Sequence, residues 1–249
     1  MRGLWAIYKR EMLSLWVTPL AWVLLLVFLI LQGAIYYSIV LHFATLPEVT
    51  VDFGPLQAYF GQSIFLLLTL LLLCPALTMR TFAEERRSGT IEPLLTAPTS
   101  AAGVVLGKYL AVLTTFLLMW TPTVLYVFIL RDTGVVDWGS VGASYLAVAL
   151  IGGMHLAIGV LASALSRSQF VALLLTLLVL FGLFVLGLGH LIYDEGPILA
   201  ISEHVSMQAQ LDEFSRGIVD SRRLVFDASA TLLCLFVATR VVDSWRWGE

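Results

Sequence analysis

The stretch PLAWVLLLVFLILQGAIYYSIVL, residues 19–41, decides the fold of this chain, because it contains no charged side chain. An α-helix rises 1.5 Å per residue, so roughly 20 apolar residues cross the ~30 Å hydrocarbon core of a bilayer. The stretch is therefore long enough to span a membrane as one helix. It is much longer than the apolar run of a secretory signal peptide, and no convincing cleavage site follows it, so we expect a retained helix.

The same apolar character extends outward over the whole chain. Its 249 residues are 59% hydrophobic and 12% charged, and the mean hydropathy is +0.94. These values exclude an ordinary soluble domain and predict an all-α integral membrane protein, with a single transmembrane domain over residues 1–249. Besides residues 19–41, five apolar windows predict further spans at about 56–79, 104–130, 140–165, 170–193 and 224–242. We therefore expect six transmembrane helices.

Lys and Arg residues predict how these spans are oriented. With six spans and the N-terminus inside, ten of the 14 lie on the cytoplasmic side. The four on the outer side are Arg131, Arg216, Arg222 and Arg223. Cytoplasmic loops carry an excess of Lys and Arg, so both termini are predicted in the cytoplasm. The net charge of −3 says nothing about partners, and no nucleic-acid partner is expected.

The first 17 residues predict a helix that lies in the membrane interface. Its apolar positions share one side. They are Leu4, Trp5, Tyr8, Met12 and Trp16. Lys9 and Arg10 turn away from that side, which is typical of an interfacial amphipathic helix. We expect this helix to anchor the first span. Lys108, the only charge inside predicted spans three and four, is expected to extend its long stem to the interface.

The outer loop, residues 194–223, predicts a second amphipathic helix. Met207, Leu211, Phe214 and Ile218 recur at helical spacing and form one face. Such a helix either caps the outer end of a pathway or rests on the lipid surface, and both alternatives stay open. Asp227, near the outer end of span six, is expected to pair with Arg222 or Arg223.

The densest charge cluster lies in the predicted cytoplasmic loop, residues 80–100, which contains TFAEERRSGTIEPLLTAPTS at 81–100. We expect span two to continue inward as a helix past Arg80 and Glu84, and to end at Ser88 and Gly89. A short second helix is predicted from Thr90, and Ser100 is expected to cap span three.

This loop has two interpretations. In the first, its charges only enforce topology, which accounts for Arg86 and Arg87. Carboxylates, however, contribute little to orientation, so the three glutamates need another reason. In the second, a short helix with an apolar side and flanking charges docks into a groove on a soluble partner. The residues that favour docking are Glu84, Glu85, Glu92, Ile91, Leu94 and Leu95.

At this point the sequence resembles a known family. ALTMRTFAEERRSGTIEPLLTAPTSAAGVVLGKYLA, residues 76–111, is similar to the segment between spans two and three of bacterial ABC exporter permeases of the type-two (ABC-2) superfamily, particularly the gliding-motility-like and copper-maturation-like branch. FSRGIVDSRRLVF, residues 214–226, resembles the signature before the last span in that branch. The resemblance covers essentially the whole chain.

The resemblance implies a permease in the bacterial inner membrane that exports substrate with energy from separate ATPase subunits. Two permeases, identical or related, would form the pathway, and two ATPase subunits would dock on residues 81–98. ATP and Mg would be bound by those subunits, and this chain would hold no cofactor. An envelope or periplasmic subunit is a possible further partner. The implied coupling residues are Glu84, Glu85, Arg86, Arg87, Gly89, Thr90, Ile91, Glu92, Leu94 and Leu95. The implied outer-loop gate residues are Phe214, Arg216, Gly217 and Asp220.

The chain lacks the motifs of an enzyme. The nearest match to a phosphate-binding P-loop, GVVLGKY at residues 103–109, has three residues between its glycines where the motif needs four, and it ends in Tyr109. No H-E-x-x-H or G-x-S-x-G motif occurs. Cys74 and Cys234 fall inside predicted spans and indicate neither a disulfide nor a metal site. We therefore expect no catalytic residue and no metal.

Two other functions stay open at this stage. The chain could transmit ATP-driven movement to an envelope partner without transporting anything, or it could be an intramembrane enzyme. An enzyme would need two facing catalytic groups at membrane depth, whereas His155, His190 and His204 are isolated. Pro75 and Pro122 fall within spans and are expected to bend them. The substrate is open, because the fold does not determine the cargo.

Overall fold

The computed structural model describes residues 2–45, 54–90, 99–131, 136–191 and 195–245, and within these ranges the chain is helical without a β-strand. The helices are α1 (Arg2–Val17), α2 (Pro19–Thr45), α3 (Pro55–Gln57), α4 (Ile64–Thr78), α5 (Ala83–Ser88), α6 (Ala101–Trp120), α7 (Val124–Arg131), α8 (Trp138–Leu165), α9 (Gln169–Gly187), α10 (Pro197–Val205), α11 (Met207–Ser215) and α12 (Ser221–Ser244). A π-helical turn covers Ala58–Gln62, and 3₁₀ turns cover Thr121–Thr123 and Leu188–Leu191.

The predicted fold class is confirmed. Within the described ranges, six helical segments are long and apolar enough to cross a membrane, and an N-terminal helix precedes them. They are Pro19–Thr45, Ile64–Ser88, Ala101–Arg131, Trp138–Leu165, Gln169–Gly187 and Ser221–Ser244. The second combines α4 with α5, and the third combines α6 with α7. The chain is thus a multi-pass helical membrane protein.

Helix α8 is the centre of the bundle. Among the 18 most apolar consecutive residues of α8, 78% are buried, whereas the corresponding share in α2 is 17%. It packs against α4, α6, α9 and α12. A Cβ atom on Gly159 would overlap the side chain of Thr78 in α4, so glycine is what allows these two helices to approach.

The two prolines interrupt their spans differently. Pro122 lies in the 3₁₀ turn between α6 and α7. Pro75 lies inside α4, and its carbonyl still accepts the N–H of Met79 at 2.9 Å. Span two differs from the expected uninterrupted helix. It begins with the π-helical turn, breaks at Ser63, and breaks again in a turn over residues 79–82.

Helix α1 packs along α6. The contact is close at Gly107, where a Cβ atom would lie 3.0 Å from the side chain of Ile7 and 3.1 Å from the carbonyl of Leu4. Ile7 is buried, whereas Trp5 is 55% exposed and stacks on Tyr8, with the ring centres 4.9 Å apart. One side of α1 is therefore held by the bundle. We call this end of the molecule the α1 end and the opposite end, where α11 lies, the far end.

Candidate functional site

Helix α5 lies at the α1 end and is held at both of its termini. At its start, the hydroxyl oxygen of Ser163 in α8 accepts the N–H groups of Phe82 and Ala83 at 3.0 and 3.1 Å. The same hydroxyl donates to the carbonyl of Met79 at 3.2 Å. These bonds replace helical hydrogen bonds, which explains why span two does not continue unbroken past Arg80. Gly89 ends α5 with φ of 72°, in the left-handed region that glycine adopts readily.

A buried ionic cluster, which we call the Lys108 junction, ties α5 to the neighbouring helices. Lys108 of α6 is 1% exposed, and its ammonium lies 2.9 Å from a carboxylate oxygen of Glu11 in α1 and 3.0 Å from one of Glu85 in α5. It also donates to the carbonyl of Thr81 at 2.7 Å. Arg10 lies 3.2 Å from the same Glu85 oxygen. The junction therefore joins α1, α5 and α6 through paired charges, of which Lys108 is almost completely buried and Arg10 remains 58% exposed.

The Lys108 junction was missed by the sequence reasoning, and the expectation that Lys108 extends to the interface is wrong. The ammonium of Lys108 stays inside the bundle, because the carboxylates of Glu11 and Glu85 form ion pairs with it there. The signal was present in α1, where Glu11 lies between Tyr8 and Met12, two residues of the predicted apolar side. An acidic side chain on an apolar helix face, together with a single lysine in a span, indicates an internal pair.

Arg86 connects α5 to the ends of α8 and α12. Its guanidinium donates to the carbonyls of Ala164 at 3.0 Å and Ser166 at 3.4 Å. It also lies over the ring of Trp245, 4.7 Å from the ring centre. Phe82, fully buried, meets the same ring edge-on at 5.9 Å. The last residue of the described chain thus contacts the segment that follows span two.

The structure divides the predicted coupling residues into two groups. Glu85 is buried and Arg86 is half-buried, and both are paired within the chain. The partly or fully exposed group is Glu84, Arg87, Gly89 and Thr90. Glu84 and Arg87 lie 3.8 Å apart, with side chains 32% and 67% exposed. Ile91, Glu92, Leu94 and Leu95 lie outside the described residues, as does the predicted second helix. Ser100 caps α6 as expected and accepts the N–H of Gly103 at 3.1 Å.

A cavity of about 210 Å³ opens between α1, α2, α4, α5 and α6 at the α1 end. Its polar wall includes Arg10, Arg80, Glu84, Glu85 and Lys108. Its apolar wall includes Leu20, Leu24, Leu77 and Val112. The cavity therefore lies directly behind the exposed group of α5.

At the far end, α11 forms a buried cap. Met207, Leu211 and Phe214 are each at most 4% exposed. The amide of Gln208 donates to the carbonyl of Gly61 in the π-helical turn at 2.6 Å. The predicted apolar face thus packs on the bundle and does not rest on the lipid surface. Ile218, expected on the same face, is 59% exposed, because α11 ends at Ser215.

Two polar clusters hold this cap to α12. Arg223 donates to Glu213 at 3.2 Å and to the carbonyls of Glu203 and His204. Asp227, 1% exposed, accepts the amide of Gln210 at 2.6 Å. The predicted pairing of Asp227 with Arg222 or Arg223 is therefore wrong. Glu213 forms the ion pair with Arg223, and the neutral amide of Gln210 donates the hydrogen bond to Asp227.

The predicted gate residues lie where α11 ends and α12 begins. Phe214 is fully buried, and Arg216 lies 2.8 Å from Asp212 on the same helix. Gly217 has a φ of 78°, and Asp220 caps α12 by accepting the N–H of Arg222 at 2.8 Å. These contacts form the turn between the two helices. Their role as a gate stays a prediction.

The histidines are not brought together. His155 is fully buried in α8, and neither ring nitrogen has a hydrogen-bond partner in the described part of the chain. The ring of His204 meets Phe226 edge-on at 5.3 Å. The side chain of His190 lies outside what the structure describes. Among the described residues no group of three His, Cys, Asp or Glu side chains could hold a metal ion.

The fold and the two end structures define a multi-pass helical membrane protein with a short, internally held helix at one end. The pattern of the family described as ABC-2 family transporter protein matches residues 34–201, which is more than half of the chain. The chain belongs to this family. It is therefore a permease subunit of an ABC transporter, and membership implies an ABC ATPase subunit as its partner. No curated protein matches the chain.

Proposed function

We propose that this permease exports its substrate, and that ATP hydrolysed on separate ATPase subunits drives it through residues 81–98. Two ATPase subunits would dock beneath two permeases, either identical or related, and bind the ATP and Mg themselves. The exposed group of α5, together with the residues that follow it, would form the docking surface. The gliding-motility-like and copper-maturation-like branch is the proposed relationship, and an envelope subunit is a possible additional partner.

The observation that carries the proposal is the way α5 is attached. Glu85 connects it to α1 and α6 through the Lys108 junction. Ser163 and the carbonyls that Arg86 contacts connect it to α8, and Trp245 connects it to the end of α12. A push on α5 would therefore reach four other helices at once. A loop that served only to set topology would need none of these internal contacts.

The proposed location is the bacterial inner membrane, with the α1 end in the cytoplasm. Support comes from the excess of Lys and Arg at the α1 end, since positive residues favour the cytoplasmic side. Single cysteines introduced at Arg87 and Arg222, in a chain without its native cysteines, test the orientation. An impermeant thiol reagent applied to intact spheroplasts should label position 222 and spare position 87. The reverse labelling would overturn the orientation.

The docking surface is tested by purifying the tagged permease in mild detergent and identifying the ATPase retained with it. Arg87→Glu reverses the charge of a side chain that is 67% exposed and whose ion-pair partner is the neighbouring Glu84 on the same helix. It should release the ATPase and lower the ATPase activity of the preparation. Arg222→Glu, an exposed change at the far end, is the matched control and should retain the ATPase.

Two outcomes would contradict the proposal. If wild type retains no ABC ATPase, the docking interpretation fails. If Arg87→Glu retains as much ATPase as Arg222→Glu, docking does not use the exposed side of α5. Glu85→Lys is a poor test, because it would bring a second ammonium to Lys108 and disturb the fold.

A further inference from the structure

Two carboxylate oxygens at the α1 end lack the partners that buried charges require. One oxygen of Glu84 and one of Glu85 are buried and accept no hydrogen bond from any described residue. Glu85 is 8% exposed, and only its other oxygen is engaged by Lys108 and Arg10. A buried charged oxygen without a donor is costly, so such an atom is normally satisfied.

Both glutamates line the 210 Å³ cavity behind α5. The terminal torsion of a glutamate side chain is broad, so a small rotation presents the unpaired oxygen to the cavity. Arg80, on the same wall, forms no ion pair with the described residues. The cavity thus offers acceptors for a cation and donors for an anion a short distance apart.

The rest of the cavity wall is apolar and continuous with the membrane-spanning helices. Leu20 and Leu24 come from the first turns of α2, Leu77 from the last turn of α4, and Val112 from α6. Leu20, Leu24 and Leu77 lie within two turns of an end of α2 or α4, whereas Val112 lies about three turns into α6, so the apolar wall extends inward along the helices. A ligand that fills this cavity has a charged part between α1 and α5 and an apolar part along the spans.

We propose that the cavity binds the headgroup of an aminophospholipid, the class to which phosphatidylethanolamine belongs. Its primary ammonium has three N–H donors for the unpaired oxygens of Glu84 and Glu85. Its phosphate accepts from Arg80 and from the free N–H groups of Arg10. The apolar wall takes the first part of an acyl chain. Bound there, the lipid completes the polar contacts of α5 from inside the bundle.

Other common headgroups fit this pattern less well. The quaternary ammonium of phosphatidylcholine has no N–H donor and leaves both oxygens unpaired. The headgroup of phosphatidylglycerol brings a negative charge without a cation and places it beside two glutamates. The primary ammonium is therefore the distinguishing chemical feature.

The test is native mass spectrometry of the full-length permease released from nanodiscs that contain equal amounts of phosphatidylethanolamine, phosphatidylcholine and phosphatidylglycerol with the same acyl chains. One charge-assisted hydrogen bond corresponds to about a tenfold difference in binding, so phosphatidylethanolamine should be retained about tenfold over phosphatidylcholine. N-methylated phosphatidylethanolamines should be retained less with each N–H that is lost. Free phosphoethanolamine at the same concentration should not displace the lipid, because it lacks the acyl chain.

Glu84→Gln removes the charge of one of the two acceptors, keeps the shape of the side chain, and should lower the preference for phosphatidylethanolamine. Glu203→Gln, an exposed change at the far end, should leave the preference unchanged. Equal retention of the three lipids by the wild type, or an undiminished preference in Glu84→Gln, would overturn the proposal. Displacement by free phosphoethanolamine would overturn the lipid as the ligand. Because the readout is lipid retention by the permease alone, it is independent of the proposed ATPase docking.

Discussion

The two ends of the molecule both bury charged side chains, but they complete the pairing to different degrees. At the far end, Arg223 has a carboxylate and two carbonyls, and Asp227 has an amide. In the described structure, none of the fully buried side-chain nitrogen or oxygen atoms of these clusters lacks a hydrogen-bond partner. At the α1 end, Lys108 is fully paired, yet Glu84 and Glu85 each keep a buried oxygen that accepts no hydrogen bond from the described residues.

The difference is between a polar network whose buried groups are all paired and one that keeps unpaired groups. Fully satisfied polar networks fix one arrangement, whereas partly satisfied ones leave a place for a ligand or partner. The far end therefore acts as a fixed cap on the bundle. The α1 end holds α5 firmly from within and presents unpaired groups beside the surface proposed for the ATPase.

The largest effect is expected from breaking the Lys108 junction with Lys108→Met. The change leaves Glu11 and Glu85 as buried charges without their common partner, which should cost about 3–5 kcal/mol of the free energy of unfolding. Titration of the purified protein with SDS in micelles measures it. Lys9→Met, an exposed lysine on α1, should have almost no effect. A loss below about 1 kcal/mol for Lys108→Met would mean that the junction behaves like a surface ion pair.

A smaller loss is expected at the far end from Arg223→Met. The side chain of Glu213 is 36% exposed, so water can replace its partner, and the cost comes mainly from the two abandoned carbonyls. We expect about 1–3 kcal/mol in the same titration. Arg222→Met is the matched control, since Arg222 is exposed. A larger loss in the free energy of unfolding for Arg223→Met than for Lys108→Met would contradict this order. It would mean that the far end depends more on its buried charge than the α1 end does.

The two turn glycines allow a direct comparison of backbone strain at the two ends. Gly89→Ala and Gly217→Ala each place an alanine in the left-handed region, at a cost of about 1–2 kcal/mol. The cost should be greater at Gly217, where the new Cβ atom meets the hydroxyl of Ser140 at 3.1 Å, than at Gly89, which has open space. Asparagine tolerates this conformation better, so Gly89→Asn should recover part of the loss. Thermal unfolding of the four proteins measures the differences.

The smallest effect is the dependence on pH that comes from Asp137 at the far end. The hydroxyl of Ser140, followed by the N–H groups of Gly139 and Ser140, holds the pKa of Asp137 below its ordinary value of 3.8. A lowered pKa in the folded state stabilises the protein above the ordinary pKa, and this contribution is lost as the pH falls through the folded-state pKa. The melting temperature of wild type should therefore approach that of Asp137→Asn as the pH falls below 3.8.

Helix α6 at the α1 end supplies the control for this prediction. Its cap, Ser100, does not titrate in this range, so the difference between wild type and Ser100→Ala should be the same at every pH. A constant difference for Asp137→Asn as well would contradict the role given to the Asp137 carboxylate.

The sequence predicted those features that depend on neighbouring residues. The spans follow from uninterrupted apolar runs, the end of α5 from Gly89, and the start of α6 from Ser100. The Lys108 junction joins positions 97 residues apart, and Ser163 caps α5 from 81 residues away. These contacts depend on which helices become neighbours. The sequence indicates at most that Glu11 and Lys108 need internal partners, and it does not show that Glu85, Thr81 and Ser163 supply the other contacts. The partners of Asp227 and Arg223 were missed for the same reason. Proximity in the sequence favoured a pair between Asp227 and an arginine, and it gave no sign that Gln210 and Glu213 are the partners.

The contacts of α5 are supplied in an order fixed by ribosomal synthesis. Glu11 is made before Glu85, Lys108 follows Glu85 shortly, Ser163 arrives with α8, and Trp245 follows α12. Because chains begin to fold from the N-terminal side during synthesis, α5 is partly anchored early and receives the contact with Trp245 last. A chain cut before Trp245 would therefore lack the final contact of α5, beside the surface proposed for the ATPase.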